Sequence, residues 1–384
     1  MKKKNLLIFS LIPVIAVLIV LTIAGVNYSK ADFGSDFKTE GTVLLKYNGT
    51  SSDVQIPDGI TKLGRDCFSN NPMITNVSFS DSIEEIDNNA FDGCVNLKEI
   101  ELSNSVKKIG DFAFSGCSSL SKVSIGENLF SLGDGAFSNC SSLNNISISD
   151  NNLFLICDKG AIYSYDKSKL YCYLAGSKRQ QYIMPNDVKN ISRYAFYGAN
   201  NLKEVITSSN LKEINDYTFY NCPNLESVTI NIPVTTINMG AFQSCVNLKQ
   251  VIMPESIIKI FDSAFNNCNK DLTFICNNNS YASKYAASNN IKTSDASVIS
   301  VPIQYRDEEF DNISENKLLM EKPLNNSFVE KDSANNKSED DLNLKDNLQK
   351  ADAYYSDLLN GRNVGDSKIV SDKAFLLLDN LYIF

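Results

Sequence analysis

Two consecutive stretches decide the fold of this chain: SIEEIDNNAFDGCVNLKEIELSN at residues 82–104 and SVKKIGDFAFSGCSSLSKVSIGE at residues 105–127. Both place two branched apolar residues, a small residue followed by Phe, a Cys and a final apolar segment at equal spacings. The Phe recurs eight times, at Phe68, Phe91, Phe114, Phe137, Phe196, Phe219, Phe242 and Phe265. Every step is 23 residues except one of 59, which is one period plus a 36-residue insertion. A period in this range predicts a repeat solenoid.

The energetics of one unit explain why the units must stack. A unit buries about eight apolar side chains, each worth roughly 1.5–3 kcal/mol when fully covered. Ordering its backbone costs roughly 1–2 kcal/mol per residue, so an isolated unit is unstable. Stacking covers both open faces, which makes only the array stable. We therefore expect a mainly β solenoid, with parallel strands ~4.8 Å apart and a short helical turn at each Ala-Phe pair.

Composition limits the chemistry that the chain can perform. The 384 residues include no His, which removes Ser-His-Asp and Cys-His catalysis and His-ligated zinc. Carboxylate chemistry, or a metal held by oxygen or thiolate, would remain. The net charge of −9 opposes binding to a phosphate backbone, so we expect no nucleic-acid partner.

The N-terminus combines a basic cluster with a long apolar stretch. Lys2, Lys3 and Lys4 precede the uncharged run from Leu6 to Val26, whose 21 residues suffice to cross a bilayer as a helix. Because Lys clusters stay cytoplasmic, the repeats would lie outside the cell. The run is longer than an ordinary signal peptide, which favours an uncleaved anchor. Cleavage near Ser29-Lys30-Ala31 is the alternative, and it would give a secreted protein.

The units resemble the BspA-type leucine-rich repeats found in bacterial surface proteins and in some protists. Further segments are similar to other features of that family. Tyr47-Asn48-Gly49 and residues 54–60 resemble its N-terminal cap, 184–185 and 253–254 its strand-exit prolines, and 279–286 its closing helix. The resemblance covers about residues 42–292. Ala199 departs from the pattern, because it stands where other units have Cys.

The resemblance implies a leucine-rich-repeat right-handed coil with a parallel sheet, an inserted β-hairpin and a C-terminal capping helix. It implies adhesion to host proteins or other cells, and it brings no catalytic residues and no cofactor. The chain then divides into six segments. A signal or anchor helix (1–30) precedes repeats 1–4 with an N-terminal cap (42–150), a hairpin insertion (151–184) and repeats 5–8 with a capping helix (185–292). An acidic flexible linker (293–350) and a partly apolar tail (351–384) follow.

The insertion contains two β-prone segments, 161–165 and 170–174, joined by a polar turn at 166–169. This pattern predicts a β-hairpin. Its tyrosines stand at alternating positions, and an exposed aromatic face would suit a binding hot spot. Packing against the solenoid flank is the competing interpretation. The tyrosines are Tyr163, Tyr165, Tyr171 and Tyr173.

Ten cysteines suggest a metal or disulfide site, but their spacing argues otherwise. Six stand three residues after a repeat Phe, where we expect columns of buried thiols that act as small hydrophobes. These are Cys94, Cys117, Cys140, Cys222, Cys245 and Cys268. A Cys157–Cys172 bridge within the insertion remains an alternative.

The strand of each unit alternates apolar and polar residues, so Glu99 and Glu101 should face solvent while Ile100 and Leu102 face the core. Equivalent polar positions in other units form two columns along the sheet. We take five of these residues as candidate ligand contacts: Glu99, Glu101, Lys122, Glu204 and Gln250.

These observations predict an exported, cell-surface binding or adhesion module for a protein or glycan on another cell or matrix, and no enzyme. A structural scaffold or spacer without a specific ligand is the main alternative. A carboxylate hydrolase built on Glu99 and Glu101 is a remote one, because a smooth sheet is not a cleft.

Overall fold

The computed structural model describes residues 34–295. This part of the chain is a β-solenoid of about 11 turns with parallel sheets and very little helix. The predicted anchor at residues 1–30 and the predicted linker and tail lie outside the described residues, apart from the first residues of the linker.

Each coil contributes one strand to a wide sheet and one shorter strand to a narrow sheet. The wide sheet has two parts. The first contains β3 (Asp53–Gln55), β5 (Asn76–Ser78), β7 (Glu99–Glu101), β9 (Lys122–Ile125) and β11 (Ile146–Ile148). The second contains β15 (Gln181–Ile183), β17 (Glu204–Ile206), β19 (Ser227–Thr229), β21 (Gln250–Ile252), β23 (Thr273–Cys276) and β24 (Lys292–Asp295).

The narrow sheet follows the opposite side of the coils. Its strands fall into three parts. The first contains β2 (Val43–Tyr47), β4 (Lys62–Leu63), β6 (Glu85–Ile86), β8 (Lys108–Ile109) and β10 (Ser131–Leu132), and the last contains β18 (Glu213–Ile214), β20 (Thr236–Ile237) and β22 (Lys259–Ile260). Between them, β16 (Asn190–Ile191) pairs with a strand of the insertion. The antiparallel strand β1 (Phe37–Glu40) precedes β2. The insertion adds β12 (Leu155–Asp158), β13 (Ala161–Ser164) and β14 (Lys169–Tyr173).

Register within the wide sheet keeps the 23-residue period. Glu99 pairs with Lys122, Ile100 with Val123, and Glu101 with Ser124, all in parallel. Because equivalent residues lie side by side, an apolar position in one coil always meets an apolar position in the next. The predicted alternation is confirmed in β7, where Ile100 is buried between two exposed glutamates.

The turn at each Ala-Phe pair is not helical, contrary to the prediction. In seven of the eight units the residues two before and two after the Phe adopt positive φ, as Asn89 (56°) and Gly93 (71°) do around Phe91. A left-handed residue on each side prevents a helix and points backbone N–H groups at the neighbouring coil. The Phe91 N–H donates to the Ala113 carbonyl at 2.7 Å, so a third inter-coil ladder follows this turn side.

The repeat phenylalanines form stacked columns in the core. Ring centroids of Phe91 and Phe114 lie 5.1 Å apart with planes 5° from parallel, and those of Phe114 and Phe137 lie 5.3 Å apart. All three side chains are fully buried. The second half has an equivalent column from Phe196 to Phe265.

The predicted cysteine columns are present, and each thiol has a specific partner. Cys117 Sγ donates to the Phe91 carbonyl at 3.2 Å, the Phe of the preceding coil, and five other column cysteines repeat this bond. All ten cysteines are free thiols, so the alternative Cys157–Cys172 bridge is not formed. Where Ala199 replaces the column Cys, Cys172 Sγ donates to the Tyr173 carbonyl at 3.5 Å instead.

The insertion forms the predicted hairpin, β13–β14, with β12 added as a third antiparallel strand. The two faces of this small sheet belong to different cores. Ile162 and Cys172 pack with the core of the first four units, whereas Tyr163, Leu170 and Tyr173 pack with the core of the last four. The hairpin is therefore a septum between two hydrophobic cores.

The septum also repeats the N-terminal cap. Leu44 of β2 pairs with Leu63, and Leu170 of β14 pairs with Ile191 in the same parallel manner. Tyr173 takes the place of a repeat Phe, because its N–H donates to the Ala195 carbonyl at 2.7 Å and its ring stacks on Phe196. The chain thus contains two four-unit blocks, each started by a hairpin.

Helix α1 (Tyr281–Ser288) closes the second block. Ser280 caps its N-terminus by accepting a hydrogen bond from the Ser283 N–H, as Ser commonly does. Ala282, Tyr285 and Ala286 are buried, and they cover the end of the core. The predicted capping helix is thus confirmed.

Candidate functional site

A polar groove of about 910 Å³ lies on the wide sheet where β5, β7 and β9 end. Three of the candidate residues line it: Glu99, Glu101 and Lys122. Both glutamates and the lysine are exposed, and Lys122 Nζ lies 3.7 Å from Glu99 Oε2. Asp81 adds a further carboxylate to the lining, so the groove is acidic overall.

The remaining two sheet candidates lie in the second block and do not contribute to this groove. Glu204 is half-buried and accepts a hydrogen bond from Gln181 Nε2 at 2.9 Å. Gln250 is exposed on β21. Ile206, two residues after Glu204 on β17, is buried. The five residues therefore do not form one site.

Of the two interpretations of the hairpin tyrosines, packing against the solenoid applies to Tyr163 and Tyr173, and an exposed aromatic face does not. Tyr163 is 0% exposed and Tyr173 is 2% exposed, since both face the second core. Tyr171 is half-buried beneath Lys169, whose Nζ lies 4.4 Å from the ring centroid. Tyr165 alone projects outward, with 49% of its surface exposed.

The buried hydroxyls of the septum are paired with each other. Tyr163 and Tyr182 share a hydrogen bond between their hydroxyl groups, and the Tyr173 hydroxyl donates to Ser177 Oγ at 3.1 Å. Burial raises the pKa of Tyr163, Tyr173 and Tyr182 above the usual value of a phenol. These groups stay neutral at physiological pH and contribute to packing.

The column thiols Cys94 and Cys117 are unsuited to nucleophilic chemistry. Burial raises the pKa of Cys94 to about 11 and that of Cys117 further still, so both remain protonated. Within residues 34–295 no three or more Cys, Asp or Glu side chains are arranged to hold a metal ion.

A partly exposed aromatic cluster, absent from the predicted site residues, lies on the turn side. We define the tyrosine patch as Phe112, Tyr194, Tyr197, Tyr217 and Tyr220. Tyr194 and Tyr217 stack at 5.0 Å with planes 8° apart, and the Phe112 edge contacts Tyr194 at 4.8 Å. Tyr197 and Tyr220 form a second row, with centroids 5.0 Å apart. All five are half-exposed.

A sequence signal for part of this patch did exist. Phe112, Tyr194 and Tyr217 each stand two residues before a repeat Phe, a position that holds Asp, Asn, Gly or Ser in the other units. Aligning the eight units at that position would have shown three aromatic outliers. Their proximity required the structure, because 82 residues separate Phe112 from Tyr194.

The fold and its surfaces define a class of protein: a leucine-rich-repeat solenoid that exposes broad faces and buries eight of its ten thiols. The chain belongs to the BspA-type leucine-rich-repeat family, whose model matches residues 44–159 and 169–294 in six copies. The two matched segments are interrupted within the insertion. A comparison with curated proteins finds no match.

Three solved structures to which the chain is similar come from bacteria. The pneumococcal vaccine antigen PcpA is 24% identical, with a TM-score of 0.47, over 58% of this chain and 62% of its own. A leucine-rich-repeat protein from Eubacterium ventriosum is 20% identical, with a TM-score of 0.48, over 64% and 84%. A leucine-rich cell surface protein from Faecalibacterium prausnitzii is 20% identical, with a TM-score of 0.42, over 67% and 99%. The match thus spans under two thirds of the pneumococcal antigen.

Between residues 34 and 295, no helix has the length and apolar character needed to cross a bilayer. The predicted anchor lies before this part of the chain.

Proposed function

We propose that the protein is an exported, cell-surface adhesion module that holds a protein or glycan ligand on the wide sheet of its first block. The observation that carries the proposal is the groove at the ends of β5, β7 and β9, where Glu99, Glu101 and Lys122 are exposed on rigidly paired strands. A backbone that regular strand pairing already holds loses little conformational freedom when a ligand binds.

Two further observations support export and display. BspA-type leucine-rich-repeat proteins are typically extracellular or surface-associated. Lys2–Lys4 followed by the apolar run from Leu6 to Val26 is the pattern of an N-terminal signal or anchor that leaves the repeats outside.

The hydrolase alternative has little support from the groove. A glycosidase needs one carboxyl group whose buried surroundings keep it protonated, beside a second that stays ionised. Glu99 and Glu101 are both exposed, and Glu99 is paired with Lys122. The groove therefore offers contacts for recognition and lacks the paired environments that acid–base catalysis requires.

The test is a charge reversal in the groove. The full-length chain carrying Glu99→Lys, Glu101→Lys and Lys122→Glu should lose binding to intact cells or matrix. The matched control is Glu40→Lys, an exposed acid on β1 outside the groove. Unchanged binding by the triple variant would reject the groove as the contact surface. No binding by the wild-type chain to any cell or matrix would favour the scaffold alternative.

A further inference from the structure

Three bulky aromatic residues of the tyrosine patch adopt a backbone conformation that such residues rarely tolerate. The φ angles are 54° at Phe112, 60° at Tyr194 and 55° at Tyr217. A side chain at positive φ crowds its own backbone, and the strain is greatest for large residues. Asn89 holds the equivalent position in the second unit at φ 56°, where it is well suited. Strained residues of this kind cluster at functional sites.

The neighbouring coils make room for these rings. A Cβ added at Gly135 would lie 2.7 Å from the Phe112 ring, and one at Gly240 would collide with the Tyr217 ring. Glycine at these two positions leaves room for the Phe112 and Tyr217 rings. Phe112, Tyr194 and Tyr217 therefore form a continuous row that crosses the boundary between the two four-unit blocks.

Carboxylates lie near the tyrosine patch. Asp134 accepts a hydrogen bond from Arg193 Nε at 2.8 Å, and Asp111 and Asp216 also act electrostatically on the guanidinium. Together they raise the pKa of Arg193, with the Asp134 hydrogen bond the largest cause. Asp92 lies within electrostatic range of Tyr197 in the second row. The four carboxylates outnumber the two nearby cations, Arg193 and Lys169, so the border of the patch is negative.

From this geometry we infer that the tyrosine patch binds a cationic segment of a partner protein, with Lys or Arg side chains lying over the rings and their charges facing the carboxylates. The face of an aromatic ring attracts a cation, and tyrosine adds a hydroxyl that can hydrogen-bond the partner backbone. Close carboxylates strengthen the attraction and orient the approaching charge.

The same arrangement already occurs within the chain. Lys169 Nζ lies 4.4 Å above the Tyr171 ring, and it is within electrostatic range of Asp134, at the edge of the patch. Lys259 Nζ lies 4.2 Å above Phe261 in another unit. This binding surface lies on the turn side and does not depend on the groove proposed above.

The test measures binding of fluorescently labelled octalysine to the full-length chain in a mild detergent. Tyr194→Asn with Tyr217→Asn removes two rings while placing a residue suited to positive φ, as Asn89 shows. Tyr197→Ser with Tyr220→Ser removes the second row, at a position where other units carry Ser115 and Ser138. Each pair of substitutions should weaken binding about tenfold, the effect expected for lost cation–π contacts. The Asn pair should also leave the melting temperature unchanged or raised, since it relieves strain.

Two controls separate recognition from general charge attraction. Asp216→Asn should weaken octalysine binding, while Glu101→Gln, an exposed acid in the groove, should leave it unchanged. Equal losses from these two variants would overturn the inference, because the attraction would then be diffuse. Wild-type affinity in folded tyrosine variants would overturn it as well. So would tyrosine-dependent binding of a neutral oligosaccharide, maltoheptaose, combined with no binding of octalysine.

Discussion

The structure of the septum predicts opposite effects on stability for substitutions at two tyrosines that stand two residues apart on the insertion. Tyr163 is 0% exposed and Tyr165 is 49% exposed. Replacing a fully buried aromatic side chain with Ala removes its transfer free energy and leaves a cavity, which together cost about 3–5 kcal/mol. Replacing an exposed side chain away from such features changes stability by no more than about 0.5 kcal/mol. Tyr163→Ala should therefore be severely destabilising and Tyr165→Ala nearly neutral.

The hydroxyl pair within the septum refines this prediction. Tyr163→Phe leaves the buried Tyr182 hydroxyl without its partner, which costs about 1–3 kcal/mol. Tyr182→Phe should cost a similar amount for the same reason. The double variant removes both polar groups together, so its destabilisation should be smaller than the sum of the two single changes.

Thermal unfolding followed by circular dichroism measures these differences. For a domain of this size, each kcal/mol lowers the midpoint by roughly 2–4 °C. Tyr163→Ala should thus lower it by about 10 °C, and Tyr165→Ala should not shift it measurably. Equal shifts for the two Ala variants would refute the buried septum and restore an exposed aromatic hairpin. An additive double Phe variant would refute the hydroxyl pair alone.

Three further predictions follow from the core. Phe114→Ala should lower the free energy of unfolding, measured with denaturant, by about 3–5 kcal/mol, because it leaves a cavity between two stacked rings. The same change at the half-buried Phe79 should cost less. Native-state alkylation at pH 8 should label the partly exposed Cys157 and Cys268 well before the fully buried Cys117. Mass spectrometry of protein digests measures the order of labelling, and early labelling of Cys117 would contradict the buried column. Burial raises the pKa of Cys94 from 9.0 to about 11, so the unfolded chain loses this proton at a lower pH than the folded chain. The contribution of the Cys94 thiol to the free energy of unfolding is therefore complete below pH 9 and is lost between pH 9 and 11. Chemical denaturation across that window should show a steeper loss of stability for wild type than for Cys94→Ala.

Much of the fold was predictable because each repeat position meets its own equivalent one coil away. A Phe or Cys that recurs every 23 residues lies against another Phe or Cys, so the periodicity alone identifies the core columns. The turn conformation was not predictable in this way. Ala-Phe pairs are compatible with a helical turn, and only the positive φ at residues such as Asn89 and Gly93 shows that the backbone bonds run between coils.

The candidate site was predicted less well, and the septum shows why. The alternating tyrosines suggested a hairpin with one solvent-exposed face. Residues 161–163 and 170–174 are, however, continuous apolar runs, which are typical of strands buried on both faces. The glutamates of β7 were placed correctly, because a single strand determines which of its side chains face outward. Whether Glu204 shares a groove with Glu99 depends on the insertion between them.

The amino-acid sequence by itself determined the repeat, its buried columns and the outward direction of Glu99 and Glu101, since these depend on contacts at a constant spacing. Only the tertiary structure decided how the two blocks join. Asn139 N–H donates to the Tyr197 carbonyl at 2.9 Å, and Arg193 pairs with Asp134, both across the insertion. These contacts keep the turn side in register while the septum divides the core. These contacts bring Tyr194 against Phe112 and so create the tyrosine patch. No local sequence pattern specifies which coil follows a 36-residue insertion.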